Sequence, residues 1–166
     1  MTAHQSISNS ENRNSSSVST ILKSGLVAGL LDATAGVIVY FIWFKLNPLQ
    51  VLQYIAMGVF GPESMEGGFP MVLAGLVFHF IIAYTCAVIY FYIYPKISFL
   101  REKYILSGLL FGLGIWAIMN LIIVPASNIP ASPFDLGLAI VGIVWHTTLV
   151  GLPIAIITHK FYESRN

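Results

Sequence analysis

The chain has 166 residues, of which 57% are apolar and only 9% are charged. Soluble domains carry roughly 25% charged residues, so a chain this poor in charge is unable to cover a water-facing surface. The net charge of +1 gives no sign of a nucleic-acid partner, and the single cysteine, Cys86, excludes an internal disulfide and a CxxC zinc or redox motif.

Residues 1–20 differ in composition from everything that follows. They are rich in Ser, Thr and Asn and contain few apolar residues. Such a segment buries too little surface to offset the entropy lost on ordering. We therefore predict a disordered cytoplasmic tail at residues 1–20 and a membrane domain at residues 21–162.

The membrane domain contains long apolar stretches. About 20 apolar residues cross the hydrocarbon core of a bilayer, and backbone groups in lipid must bond within their own segment, so such stretches are helical. The fold class predicted is an all-α integral membrane four-helix bundle. The predicted spans 1 to 4 are Ile21–Phe44, Met71–Tyr94, Tyr104–Ala126 and Pro133–Thr158.

The loop between spans 1 and 2 is long enough to hold a short helix of its own. Asn47 followed by Pro48 is typical of a capped helix start, and the helix is predicted to end at Phe60. About a dozen residues are too few to span, so we expect this helix to lie at the outer interface or to re-enter the membrane slightly. Its predicted apolar face excludes Gln50 and Gln53 and consists of Leu49, Leu52, Ile55, Ala56, Val59 and Phe60.

Two further features concern span 4. Residues 132–135, Ser-Pro-Phe-Asp, have the pattern of a capping box with proline at the first helical position, which predicts the start of the span. Pro153 removes a backbone hydrogen bond inside the span and predicts a kink, which makes it a candidate hinge.

The basic residues predict the orientation of the spans. If the N-terminus is inside, all of the eight Lys and Arg residues except Lys45 lie on the cytoplasmic side. The positive-inside rule then places both the N- and the C-terminus in the cytoplasm. His159 falls at the inner interface, where we expect it to be solvated.

Two sequence patterns recur in the same order along the chain. Residues 24–30 of span 1 match residues 107–113 of span 3, and residues 75–79 of span 2 match residues 142–146 of span 4. The matches predict two tandem helical hairpins related by a twofold axis along the membrane normal. Chance similarity between apolar helices is the alternative.

Ionisable and amide side chains lie inside the spans, where they are costly and normally face the protein interior. They are predicted to form one buried polar layer: Asp32, His79, Asn120 and His146. Each follows small residues at helical spacing, and small residues mark the faces where membrane helices pack. The helix-packing glycines predicted in this way are Gly25, Gly29, Gly108 and Gly112, and the same faces offer surfaces for a homo-oligomer.

Short motifs along the chain resemble the YagU-type family of small bacterial inner-membrane proteins. They are the outer-loop sequence Gly61-Pro62-Glu63-Ser64, the histidine in span 2, Pro95-Lys96-Ile97 at its inner end, and Asn120 followed by Pro125 in span 3. The resemblance implies a bacterial inner membrane and four spans, and it implies no established activity.

The buried layer allows several functions. A carboxylate with two imidazoles is typical of a proton or small-cation site in a transporter or channel component. One alternative is that these side chains only form structural hydrogen bonds between helices. A non-catalytic membrane partner or assembly protein fits the chain equally. Two facing histidines would also suit a b-type haem, although no cofactor is predicted. We expect neither an enzyme nor a metal site, and the lipid bilayer is the expected surrounding.

Overall fold

The computed structural model describes the backbone of residues 3–165 and the side chains of residues 17–165. Every regular element in this part of the chain is helical. The α-helices are α1 Ala3–Phe44, α2 Pro48–Phe60, α3 Gly68–Ile93, α4 Ser98–Glu102, α5 Tyr104–Ile118, α6 Val124–Ala126, α7 Leu136–Trp145 and α8 Leu152–Glu163. Short 3₁₀ turns occur at Pro62–Met65 and Tyr94–Lys96, and π-helical turns at Met119–Ile123 and His146–Gly151.

Four helical segments within the described residues are long and apolar enough to cross a bilayer: Ser17–Phe44, Gly68–Lys96, Tyr104–Ala126 and Leu136–Glu163. The predicted all-α four-helix architecture is confirmed, and the chain is a multi-pass membrane protein. Span 1 begins a turn earlier than predicted. The predicted disorder of residues 1–20 stays a prediction, because residues 1 and 2 and the side chains of residues 3–16 lie outside the described part.

The start of span 4 differs from the prediction. The helix begins at Leu136, and its N-cap is Asp135, whose carboxylate accepts a 2.8 Å hydrogen bond from the backbone N–H of Leu138. The predicted capping box at residues 132–135 is therefore wrong, because Asp135 itself satisfies the free N–H groups of the first turn.

Proline is accommodated in spans 3 and 4 by π-helical turns. The turn Met119–Ile123 precedes Pro125, and the turn His146–Gly151 precedes Pro153. A π turn inserts an extra residue per turn and absorbs the missing backbone bond. Pro153 remains a candidate hinge, now with a bulged turn directly before it.

Helix α2 begins as predicted and packs differently. Asn47 and Gln50 form a capping box at its start. Its buried side chains are Val51, Gln53, Ala56 and Met57, whereas Leu49, Val59 and Phe60 of the predicted apolar face are exposed. The reason is the crossing with α3 at Gly75, where the helix backbone comes so close that an alanine Cβ would meet the carbonyl of Leu52.

The end of α2 is tied to the opposite hairpin. Asn128, in the loop after span 3, donates its backbone and side-chain N–H groups to the carbonyls of Gly58 and Val59 at 3.1 and 2.8 Å. Gly61 ends the helix with φ 87°, a left-handed conformation that favours glycine.

The main core cluster lies in the half of the bundle where spans 1 and 3 begin and spans 2 and 4 end. Span 1 lies against spans 2 and 4, and span 4 lies against span 3. The ring of Tyr90 meets that of Phe111 at 4.9 Å and closes the bundle between spans 2 and 3. The core cluster consists of Ala28, Tyr90, Tyr94, Leu100, Val150, Ile154 and Ala155.

The two hairpins repeat the same local contacts. The hydroxyls of Ser24 and Ser107 each bond to the carbonyl three residues earlier, at 3.1 and 2.9 Å. Gly25 and Gly29 lie against Tyr84 and Phe80 of span 2, while Gly108 and Gly112 lie against Ala155 and the His146 backbone of span 4. These matched contacts support duplication of one hairpin. They also place all four glycines inside the chain, so a second copy would have to use other surfaces.

Candidate functional site

Three of the four predicted polar residues meet in the bundle, and one does not. Asp32, near the middle of span 1, lies between His79 of span 2 and His146 of span 4. Asn120 is exposed on the outside of span 3, where its amide bonds to the Trp116 carbonyl of its own helix at 2.9 Å. Asn120 follows Gly112 by eight residues, which at 3.6 residues per turn puts it roughly 80° around the helix from the packed glycine face.

The carboxylate of Asp32 has an imidazole nitrogen near each oxygen. His79 Nδ1 is 3.8 Å from Oδ2, and His146 Nε2 is 3.8 Å from Oδ1. The side chains of His79, His146 and Asp32 are 9%, 12% and 26% exposed. The two imidazoles therefore lie at the same depth in the bundle, as the duplicated-hairpin prediction requires.

In both rings, the nitrogen that points away from Asp32 is hydrogen-bonded to a backbone carbonyl. His79 Nε2 lies 2.8 Å from the Gly29 oxygen, and His146 Nδ1 lies 2.7 Å from the Gly142 oxygen. Because a carbonyl oxygen only accepts, each of these nitrogens must carry a hydrogen. In the neutral ring the other nitrogen is then bare, and in both rings this bare nitrogen is the one nearest Asp32.

Trp145 completes the site. Its indole Nε1–H donates a 2.6 Å hydrogen bond to Asp32 Oδ1, and its ring stacks on His146 at 4.7 Å and 18°. It was not among the four residues predicted for the polar layer. The available signal was its place directly before His146, which matches Phe78 before His79 in the repeat.

The geometry limits which metal ions and cofactors the site can hold. Among the described residues, no group of three or more His, Cys, Asp or Glu side chains is arranged to hold a metal ion. A haem between His79 and His146 does not fit, because the Asp32 carboxylate and the Trp145 indole occupy the space beside the inward nitrogens. The other titratable side chains near Asp32 are the Tyr40 phenol and the Cys86 thiol.

No family model, no curated protein and no solved structure matches this chain.

Proposed function

We propose that this protein moves protons across the membrane, with Asp32, His79 and His146 as the proton-binding site at mid-depth. The observation that carries the proposal is the pair of bare imidazole nitrogens 3.8 Å from the Asp32 carboxylate. When both rings are neutral, the imidazole nitrogens that face Asp32 and the Asp32 carboxylate are all acceptors. The site can therefore bind protons beyond the hydrogens that it already carries.

Structural pairing between the helices does not account for the two imidazole nitrogens that face Asp32. Polar groups that hold membrane helices together pair a donor with an acceptor. Here the N–H groups of His79 and His146 bond to carbonyls, and the carboxylate is held by the indole N–H of Trp145. Adding one proton to either ring creates an imidazolium beside the carboxylate, which is favourable at low dielectric. Since the two rings belong to different hairpins, a proton bound between them links span 2 to span 4.

The chemistry of the ligands favours a proton over a small hard cation. Hard cations such as Mg²⁺ and Ca²⁺ prefer shells of oxygen ligands, and imidazole suits transition metals. Imidazole is also the side chain that changes charge near neutral pH, so it can both take up and release a proton there. One carboxylate and two imidazoles therefore suit a proton better than a small hard cation.

The surrounding membrane is part of the proposal. The basic residues support an orientation with both termini in the cytoplasm. The resemblance to the YagU-type family supports a bacterial inner membrane. A homo-oligomer would use surfaces other than the buried glycine faces, such as those around Gly36 and Gly114, where an added Cβ meets no atom within 4 Å.

Replacement of Asp32 by asparagine tests the proposal. Proteoliposomes loaded with the pH-sensitive dye pyranine and energised by a valinomycin-induced potassium potential should acidify faster than protein-free liposomes. Asp32→Asn removes the charge that pairs with an imidazolium and keeps the size of the side chain. We expect it to lower the protein-dependent rate on the order of tenfold or more, as loss of a proton-transfer group does.

Asn120→Ala is the matched control, because Asn120 is also a polar residue inside a span but lies on the outside of the bundle. It should acidify like the wild type. Equal rates for Asp32→Asn and wild type would remove Asp32 from the function. A wild type no faster than empty liposomes would reject transport and leave the non-catalytic membrane partner as the better description.

A further inference from the structure

At the inner end of the bundle, His159 is not solvated as the sequence suggested. Its side chain is only 14% exposed. The ring stacks on Tyr104 of span 3 at 3.8 Å and 6°, and it lies edge-on to Tyr94 of span 2. A histidine of span 4 enclosed by aromatic rings from spans 2 and 3, yet close to the surface, is a built site that the Asp32 layer does not include.

The polar contacts of His159 form a chain that leads from the buried interior to water. Tyr94, which is 2% exposed, has its hydroxyl 2.6 Å from His159 Nδ1, and His159 Nε2 lies 3.4 Å from the Glu163 carboxylate. The nearby carboxylate favours a hydrogen on Nε2, and Nδ1 then accepts a hydrogen bond from the Tyr94 hydroxyl. The Glu163 side chain is 69% exposed and ends the chain at the inner surface.

We propose that His159, with Tyr94 and Glu163, is the proton-exchange station on the inner side of the membrane. The inference rests on the proton transport proposed for Asp32. The Tyr94 hydroxyl hydrogen and the His159 Nε2 hydrogen both point toward the inner surface. This row of donors and acceptors can therefore release a proton at that surface. The Nε2 proton passes to the Glu163 carboxylate, the Tyr94 hydroxyl proton passes to Nδ1, and the phenol oxygen takes a proton from the interior.

The station and the Asp32 layer lie on one face of span 2. His79, Cys86, Tyr90 and Tyr94 are spaced seven, four and four residues apart, which keeps them on the same side of the helix. Between the two sites the Tyr90 hydroxyl bonds to Ser107 at 2.6 Å, and the core residues Val150 and Ile154 fill the interior. These side chains separate the two sites in the present conformation. A proton therefore reaches the station only when the packing in the inner half of the bundle loosens.

A second observation marks the same level of the bundle. Thr158, directly before His159, is fully buried, and its hydroxyl has no hydrogen-bond partner among the described residues. A buried hydroxyl without a hydrogen-bond partner lowers the stability of the folded protein, so it calls for an explanation. Here it offers a donor and an acceptor beside the station for a proton carried through the loosened core. The other charged group near Tyr94 is Arg101 of the inner loop.

The test compares His159→Ala, His159→Phe and Lys160→Ala in the acidification assay. His159→Phe keeps a ring to stack on Tyr104, and Lys160→Ala changes an exposed neighbour. We expect both His159 variants to lower the protein-dependent rate on the order of tenfold and Lys160→Ala to match the wild type. Added imidazole should restore His159→Ala, because it supplies the missing proton carrier in the vacated space, and should not restore Asp32→Asn or accelerate empty liposomes.

The outcomes separate this inference from the proposed function. Normal rates in both His159 variants, with a slow Asp32→Asn, would overturn the station and leave Asp32 as the transport site. A slow His159→Ala that imidazole does not restore, beside a normal His159→Phe, would also overturn it and assign His159 a packing role. An inactive wild type would reject the transport proposal itself.

Discussion

Replacing Gly112 by alanine is expected to lower the free energy of unfolding by about 2 kcal/mol, since overpacking a tight contact costs ~1–3 kcal/mol. At this position spans 3 and 4 cross backbone to backbone. An alanine Cβ would lie 2.6 Å from Thr147 Cα and closer still to the His146 carbonyl oxygen. Backbone atoms are unable to rotate away as a side chain does, so the helices must separate, and His146 moves with them.

Gly114→Ala is the matched control in the same helix. An added Cβ there meets no atom within 4 Å, and alanine favours a helix over glycine by up to about 1 kcal/mol. In thermal unfolding of the purified protein in mild detergent, Gly112→Ala should melt earlier than the wild type and Gly114→Ala no earlier. If Gly112→Ala melts at or above the wild-type temperature, the close crossing of spans 3 and 4 is incorrect.

Loss of either imidazole of the polar layer is expected to reduce proton flux as severely as loss of both. The chosen variants are His79→Gln and His146→Asn, because their amides retain the donors to the Gly29 and Gly142 carbonyls that the rings supply. They remove only the nitrogens that face Asp32. If protons pass from one ring to the other through the carboxylate, the three groups act as a unit, and effects within a unit are strongly non-additive.

The acidification rates of the two single variants and the double variant test whether Asp32, His79 and His146 act as one unit. We expect all three to lie at the level of Asp32→Asn, roughly tenfold or more below the wild type. Single variants that each retain about half of the rate would instead show two independent proton sites. Because the backbone-facing donors are preserved, unfolding temperatures close to that of the wild type serve as the check that the fold is intact.

Much of the fold was predictable because it depends on length and hydropathy. The apolar stretches of the chain determine the spans, and the end of span 3 at Ala126 and the cap at Asn47 are local properties of the sequence. The face of α2 was not predictable in this way. In a lipid environment an apolar side chain gains little by facing protein, so the approach permitted by Gly75 decided which side became buried.

The candidate site was predictable only in part, for a related reason. Asp32, His79 and His146 stand out because ionisable groups at membrane depth face the interior. Asn120 followed the same argument and failed, since eight residues of helix place it roughly 80° away from the packed Gly112 face. Trp145 and His159 were missed because their roles depend on partners distant in sequence: Asp32 for the indole, and Tyr94 and Tyr104 for the imidazole.

The protonation of the two rings in the polar layer is the most direct test of a proton site against structural pairing. Solid-state ¹⁵N NMR of histidine-labelled protein in bilayers distinguishes the two nitrogens of each ring, and His79→Gln and His146→Asn assign the signals. We expect neutral His79 to carry its hydrogen on Nε2 and neutral His146 on Nδ1, with the nitrogen facing Asp32 bare in each. Hydrogens on His79 Nδ1 and His146 Nε2 in the neutral rings would mean that both already donate to Asp32, and the layer would be helix-pairing hydrogen bonds rather than a proton site.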